Sequence, residues 1–189
     1  MLALAHPAQA QMSNLDFSVH VGAAMPIGKV GDYFNAGPAF RVDVGRAFKN
    51  DMSLILDLGA DHLSAQDATY VPRTNLWRYQ IEVAKQLRGA DSFSLMPYVG
   101  GGATVYRSAE YQNGLSPDHF DHTYPTGTVG TRLGLKASEG LTWYLSGELN
   151  WSPIAKADAQ QLSDASRMNL PTFGSTTTGV VTLGFNLRP

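Results

Sequence analysis

The stretch Trp77-Arg-Tyr-Gln-Ile-Glu-Val83 decides the fold. Large apolar side chains occupy every second position, and polar or charged side chains stand between them. Successive side chains of a β-strand point to opposite faces, so this period of two predicts a strand with one apolar and one polar face. Such a strand lies between two different environments.

The same alternation recurs on both sides of this stretch. Seven further segments are predicted as strands, at 15–25, 40–45, 54–59, 93–107, 129–135, 143–151 and 181–187. The segment 93–107 contains Gly100-Gly-Gly102, which leaves its facing ambiguous and is typical of a bulge or a close backbone approach. The total is eight strands.

The connections between these strands alternate in length. Short, turn-like links are predicted at 49–51, 89–91 and 138–140, and longer links at 28–37, 63–74, 108–125 and 153–174. An even number of antiparallel strands with this alternation is typical of an outer-membrane barrel. We therefore predict an all-β fold: an eight-stranded, antiparallel, up-and-down transmembrane β-barrel with short periplasmic turns and longer extracellular loops.

Composition narrows the functional classes. The 189 residues carry 14 Lys and Arg against 16 Asp and Glu without a basic cluster, so nucleic acid is not an expected partner. The absence of cysteine excludes disulfides, thiolate catalysis and cysteine-based zinc sites. No stretch reaches the roughly 18 apolar residues of a membrane-spanning helix.

The N-terminus has a composition of its own. Residues 1–11 end in Ala8-Gln-Ala10, a pattern of small residues typical of a signal-peptide cleavage region. We interpret 1–11 as a signal-peptide remnant or a disordered polar N-terminus, and 12–189 as the barrel domain.

Aromatic residues cluster near the two ends of the predicted strands. Two such girdles, bracketing an apolar band, are what anchoring at a membrane interface predicts. The alternatives are aromatics filling an ordinary core, or a soluble lipocalin-like barrel with large apolar residues around a ligand. The predicted interface aromatics are Phe40, Phe48, Trp77, Phe93, Tyr106, Trp143, Trp151 and Phe185.

The polar faces of the strands would then point into the lumen. The interior of eight strands is just wide enough for side chains to fill it, and charges confined there need partners. We predict a plug of ion pairs; the alternative is a narrow path for ions or small solutes. The predicted lumen network comprises Arg41, Asp43, Asp57, Asp61, Arg78, Glu82, Arg132 and Glu148.

Three constellations have the residue types of chemical sites. Asp61-His-Leu-Ser64 and the loop segment 116–122, with Glu148, contain the parts of a hydrolase triad, although geometry decides whether a triad exists. Asp118 to His122 has two carboxylates and two imidazoles, residue types that bind divalent metals; the alternative, which we favour, is a solvated polar loop. Gly100-Gly-Gly102 is no phosphate loop, because no helix follows it. We expect no catalytic residues, metal or cofactor.

Four motifs carry a family resemblance: Ala24-Met-Pro-Ile-Gly28, Gly31-Asp-Tyr-Phe-Asn-Ala-Gly37, Pro97-Tyr-Val-Gly-Gly-Gly102 and Thr182-Leu-Gly-Phe-Asn-Leu187. With them the chain resembles the small outer-membrane β-barrel superfamily, which includes the OmpA barrel domain, OmpX and the opacity proteins. The last strand resembles the terminal signal read by the barrel assembly machinery at Thr182, Gly184 and Leu187, although the chain ends in Arg188-Pro189 where the family usually has an aromatic residue.

The resemblance implies an integral protein of the outer membrane of a Gram-negative bacterium. Its role would be structural, surface-interacting or adhesive rather than enzymatic. Implied partners are outer-membrane lipid and lipopolysaccharide, the barrel assembly machinery and a ligand outside the cell contacted by the loops. A lipid-modifying barrel enzyme similar to the lipid A deacylases, and a narrow porin, are the alternatives.

Overall fold

A computed structural model describes residues 15–32, 34–48, 50–66, 74–88, 92–109, 119–154 and 175–187. These described residues form strands and one short 3₁₀ helix, Gly28–Asp32. The strands are β1 (Leu15–Ile27), β2 (Phe34–Asn35), β3 (Gly37–Ala47), β4 (Met52–Ala65), β5 (Thr74–Lys85), β6 (Leu87–Arg88), β7 (Phe93–Ala109), β8 (His119–Ser138), β9 (Leu141–Pro153) and β10 (Ser175–Leu187).

The eight long strands close into one barrel. Each pairs antiparallel with its neighbours along the chain, and β1 pairs with both β3 and β10, which joins the two ends of the sheet. The short strands β2 and β6 extend the pairing beside β4 and β7. The predicted eight strands and their antiparallel, up-and-down order are confirmed.

Two of the short links are visible as tight turns. Phe48 N donates to Met52 O at 2.8 Å across the β3–β4 link, where Asp51 adopts a φ of 60°. Gly140 has a φ of 80° in the β8–β9 turn, a left-handed conformation that glycine adopts without steric cost. The predicted turn 89–91 and the N-terminal segment 1–11 lie outside the described residues.

The loop boundaries differ from the prediction. Strand β8 already begins at His119, although 108–125 was expected to be loop, and the strand β4 continues to Ala65. Pro125, at the end of the predicted loop, pairs with Ala103 in the β7–β8 ladder. Pairing with a long neighbouring strand therefore outweighs local propensity here. The predicted loop 28–37 contains the 3₁₀ helix and β2.

Polar residues face the lumen and apolar residues face outward, which is the reverse of the arrangement in a water-soluble protein. In β5, burial alternates strictly: Arg78, Gln80 and Glu82 are buried, while Tyr79 and Ile81 are exposed. The outer face carries a wide apolar band, and the middle of the lumen is charged. The lipocalin-like alternative, which requires an apolar interior, is wrong for the described part of the chain. No helix in the described ranges is long and apolar enough to cross a membrane.

Candidate functional site

The first polar centre of the lumen lies nearer to the long loops. We call Arg41, Asp61, Arg78 and Glu148 the loop-side cluster. Asp61 is shared: Arg41 Nη1 donates to its Oδ1 at 2.6 Å, and Arg78 Nη1 donates to its Oδ2. Arg41 Nη2 also reaches Glu148 Oε1 at 2.9 Å. Two arginines and two carboxylates thus form a continuous chain of charge-assisted hydrogen bonds.

A second centre lies nearer to the short turns. We call His20, Asp43, Glu82 and Arg132 the turn-side cluster. Arg132 Nη2 donates to Glu82 Oε2 at 2.7 Å, and Arg132 Nη1 forms an ion pair with Asp43 Oδ2 at 2.7 Å. His20 Nε2 lies 3.1 Å from the same Asp43 oxygen. One guanidinium on β8 therefore reaches across the lumen to two carboxylates, Asp43 on β3 and Glu82 on β5, whose strands are separated by β4.

Tyr98 connects the two clusters. Its hydroxyl donates to Glu148 Oε2 at 3.0 Å, and the Arg132 guanidinium carbon lies 4.8 Å from the centre of its ring. Asn150 Nδ2 donates to Glu148 at 2.8 Å and accepts from Gln80 at 2.9 Å through its own amide oxygen. The structure thereby brings seven of the eight predicted lumen residues into one network.

The eighth predicted residue, Asp57, is buried beside this network. It lies directly opposite Asp43 in the β3–β4 register, and its Oδ1 has no hydrogen-bond partner in the described part of the chain. The eight predicted residues comprise three arginines and five carboxylates, so the interior carries more acid than base.

Gly59 makes room for the loop-side cluster. It lies between Arg41 and Arg78 in the β3–β4–β5 register. A Cβ atom at this position would stand 2.7 Å from Arg41 Nη1 and 2.9 Å from Arg41 Cδ. Real Cβ atoms do not approach so closely, so glycine is required for Arg41 to lie flat across the barrel wall.

Apolar side chains close the lumen above the loop-side cluster. This apolar lid consists of Ala24, Val30, Phe34, Ala39, Leu63, Leu76, Tyr106, Tyr124, Ile154 and Val180. Val30 and Phe34 come from the 3₁₀ helix and β2, which turn inward over the barrel. Below the lid, Thr126 exchanges hydroxyl hydrogen bonds with Thr104 at 2.6 Å and with Ser152 at 2.7 Å.

At the turn end, the residues that the structure describes leave the lumen open. A polar cavity of about 500 Å³ extends from the short turns to Asp43 and Arg132. Its wall is rich in hydroxyl and amide side chains, among them Ser18, Ser53 and Asn186. Water can therefore reach the turn-side cluster from this end.

The structure places seven of the eight predicted interface aromatics on the outer face of the barrel and one in the lumen. Tyr106 was expected at the outer interface, but it is buried in the lid and its hydroxyl hydrogen-bonds to Thr176. The ambiguous facing around Gly100–Gly102 caused this error; the structure turns Tyr98, Thr104 and Tyr106 inward. Six predicted aromatics are between 44% and 51% exposed on the outside: Phe40, Phe48, Trp77, Phe93, Trp143 and Trp151.

Two outer aromatics pack against each other at the turn end. Phe185 meets Trp143 edge-on, with ring centroids 5.9 Å apart, and is half-buried for that reason. Phe17 is 44% exposed on the same outer face and was not among the predicted interface aromatics.

The predicted hydrolase parts that the structure describes, Asp61, His62, Ser64 and Glu148, do not assemble into a triad. Asp61 and Glu148 point into the lumen, whereas His62 and Ser64 are on the outer face of β4. Adjacent residues of one strand face opposite sides, so Asp61 cannot orient His62. His62 Nδ1 instead donates to Asn75 Oδ1 on β5 at 2.7 Å.

Most side chains of the segment 116–122, predicted as part of a triad or a metal site, lie outside what the structure describes. Ser116, Asp118 and the side chains of His119 and Asp121 lie outside the described residues. Within the described ranges, no three His, Asp or Glu side chains are grouped as a metal site requires.

Comparisons with known proteins bear on the fold. No family model matches the chain. No curated protein matches it either. Among solved structures, the chain is similar to Neisserial surface protein A, with 12% identity over 93% of this chain and 97% of that one, and a TM-score of 0.64. It is also similar to a major outer membrane protein from Thermus thermophilus, with 10% identity over 92% and 99% and a TM-score of 0.61.

A third similar structure is Ail, the attachment invasion locus protein of Yersinia pestis, with 11% identity over 91% of this chain and 98% of that one, and a TM-score of 0.50. Identities this low bear on architecture alone. Together with the closed sheet, they establish that the chain has the fold of the small outer-membrane β-barrels.

Proposed function

We propose that this chain is an integral outer-membrane protein with a structural or surface-interaction role, a plugged lumen and no enzymatic activity. The observation that carries the proposal is the inverted distribution of polarity. Apolar side chains that are 42% to 61% exposed cover the outer wall of the barrel, among them Val21, Leu58, Ile81 and Val99. Water-soluble monomers rarely expose a continuous apolar belt of this kind, whereas a bilayer stabilises it.

The lumen supports the plugged state. Ion pairs cross the middle of the barrel, and the apolar lid lies between them and the loop end. A narrow porin would need a polar path through that lid. The open cavity reaches the turn-side cluster, so among the described residues the polar space is a vestibule that ends at the ion pairs.

The orientation and the partners belong to the same proposal. The short turns face the periplasm and the long connections face outward, where they contact a ligand. The attachment protein Ail shares the fold, which makes adhesion a reasonable form of this contact. The last strand β10 carries Thr182, Gly184 and Leu187, through which the barrel assembly machinery recognises the chain before membrane insertion.

The test is cell fractionation. The chain is expressed with a complete signal peptide, the membranes are separated, and the outer-membrane fraction is run on a gel with and without boiling. We expect the protein in the outer membrane, with faster migration when unboiled, because the folded barrel stays compact. A soluble protein without this shift would contradict the proposal.

A further inference from the structure

We propose that the outer wall of the barrel, at its loop-side rim between β3 and β7, binds one molecule of lipid A. This inference rests on the proposed function, because it requires the loop side to face the leaflet that contains lipid A. It adds a defined site and a defined ligand to that function.

The site begins with a groove in the apolar belt. One row of the ladder runs from Phe40 on β3 through Ala60 on β4 to Trp77 on β5. Both aromatic side chains are 44% exposed, and the methyl group between them leaves a trough. The open groove has a volume of about 360 Å³ and includes Val21 and Pro38. Its size is within the range of small-molecule sites, and its wall suits an acyl chain.

The next outward-facing row of the ladder, two residues nearer to the loops along each strand, is polar. It runs from His62 on β4 through Asn75 on β5 to Arg107 on β7. The hydrogen bond from His62 Nδ1 to Asn75 Oδ1 fixes the ring and the amide in one orientation. The Arg107 side chain is exposed on the same outer face. A guanidinium has five N–H donors, so its existing contact within the protein leaves donors for a ligand.

The two rows select one class of ligand. A trough of hydrocarbon width favours an acyl chain, and a row of imidazole, amide and guanidinium groups favours a phosphate. The polar row lies closer to the loops, so the phosphate must be nearer to the outside than the chain. A lipid oriented in the outward leaflet satisfies this order. Lipid A, which is phosphorylated and acylated, is the occupant to which we commit.

The experiment measures lipid retention by the folded barrel in detergent. The purified full chain is titrated with diphosphoryl lipid A, and native mass spectrometry counts the bound molecules. We expect one retained molecule per barrel. Ala60→Leu fills the trough and should weaken binding at least about tenfold, because the acyl methylenes lose their buried surface. Arg107→Gln should weaken diphosphoryl lipid A but not its dephosphorylated form.

Ala103→Leu is the matched control. Ala103 is also a half-buried alanine on the outer face, but it lies on β7 outside the groove. It should bind lipid A like the wild type. Each variant is first checked for the gel shift of the folded barrel, so that misfolding is not mistaken for lost binding.

Three results would overturn the inference: no retained lipid A, equal affinity for phosphatidylglycerol, or unchanged binding by Ala60→Leu. The first would leave an intact outer-membrane barrel without this site. The second would mean that any anionic lipid suffices. Failure of the proposed function is separate, since it would be detected by fractionation and the gel shift.

Discussion

Asp61 and Asp43 occupy comparable positions in the two ion-pair clusters. Each carboxylate is shared by two basic side chains: Asp61 by Arg41 and Arg78, and Asp43 by Arg132 and His20. Both are almost fully buried. Their surroundings differ, because the apolar lid lies next to Asp61, whereas Asp43 forms part of the wall of the 500 Å³ cavity.

The free energy lost when an ion pair is broken depends on whether water can reach the remaining charge, and not only on the geometry of the pair. A charge that loses its partner under an apolar lid stays desolvated, whereas a charge beside a polar cavity gains water. Similar contacts are therefore expected to have unequal effects on stability. The barrel should be most sensitive on its loop side.

Asp61→Ala should have the largest effect. It leaves the guanidinium groups of Arg41 and Arg78 next to each other without the carboxylate that joins them. We expect a loss of about 3–5 kcal/mol in the free energy of unfolding, measured by reversible urea titration in lipid vesicles.

Asp61→Asn gives a second measurement at the same position, for the case in which the alanine variant does not refold. It keeps the shape and one acceptor oxygen, and should cost about 1–3 kcal/mol. If both substitutions leave the unfolding free energy unchanged, the loop-side cluster contributes nothing to the plug.

The sequence predicted that the arginines and carboxylates of both ion-pair clusters face the lumen. It did not predict that one cluster lies under an apolar lid and the other beside a polar cavity. Strict alternation in strands such as β5 was sufficient to assign Arg78 and Glu82 to the interior, because a period of two fixes the facing of a whole strand. Which carboxylate pairs with which arginine depends on the stagger between neighbouring strands, and a single sequence does not reveal that stagger.

The lid and the linking tyrosine were missed for a local reason. Gly100–Gly102 carry no side chains that mark a face, so the alternation around them left Tyr98 unassigned and Tyr106 assigned to the wrong face. Val30 and Phe34 lie in a segment predicted as loop, and only the inward fold of that segment makes them part of the lid. His20 and Asn150, by contrast, were recognisable on the polar faces of their strands.

Asp43→Ala should have an intermediate effect. Arg132 keeps Glu82 as a partner at 2.7 Å, and water from the cavity can fill the vacated space. We expect a loss of about 1–3 kcal/mol in the same urea titration. Ser53→Ala, on the cavity wall, serves as a control for a substitution without charge. If Asp43→Ala lowers the free energy of unfolding as much as Asp61→Ala does, the comparison fails, because the cavity then gives Arg132 no hydration.

Asp57→Asn should have the smallest effect, and it sharpens the comparison most. Asp57 lies opposite Asp43, and the interior has five carboxylates for three arginines. The amide keeps the shape, cannot ionise and offers an N–H donor to Asp43. We expect an unfolding free energy within about 1 kcal/mol of the wild type, on the stabilising side.

Asp61→Asn makes the identical chemical change at a carboxylate that two arginines share, so the difference between the two variants isolates the effect of the partners. If Asp57→Asn lowers the free energy of unfolding as much as Asp61→Asn does, then Asp57 stabilises the plug as an ion-pair partner. In that case Asp57 is not a surplus acid of the lumen.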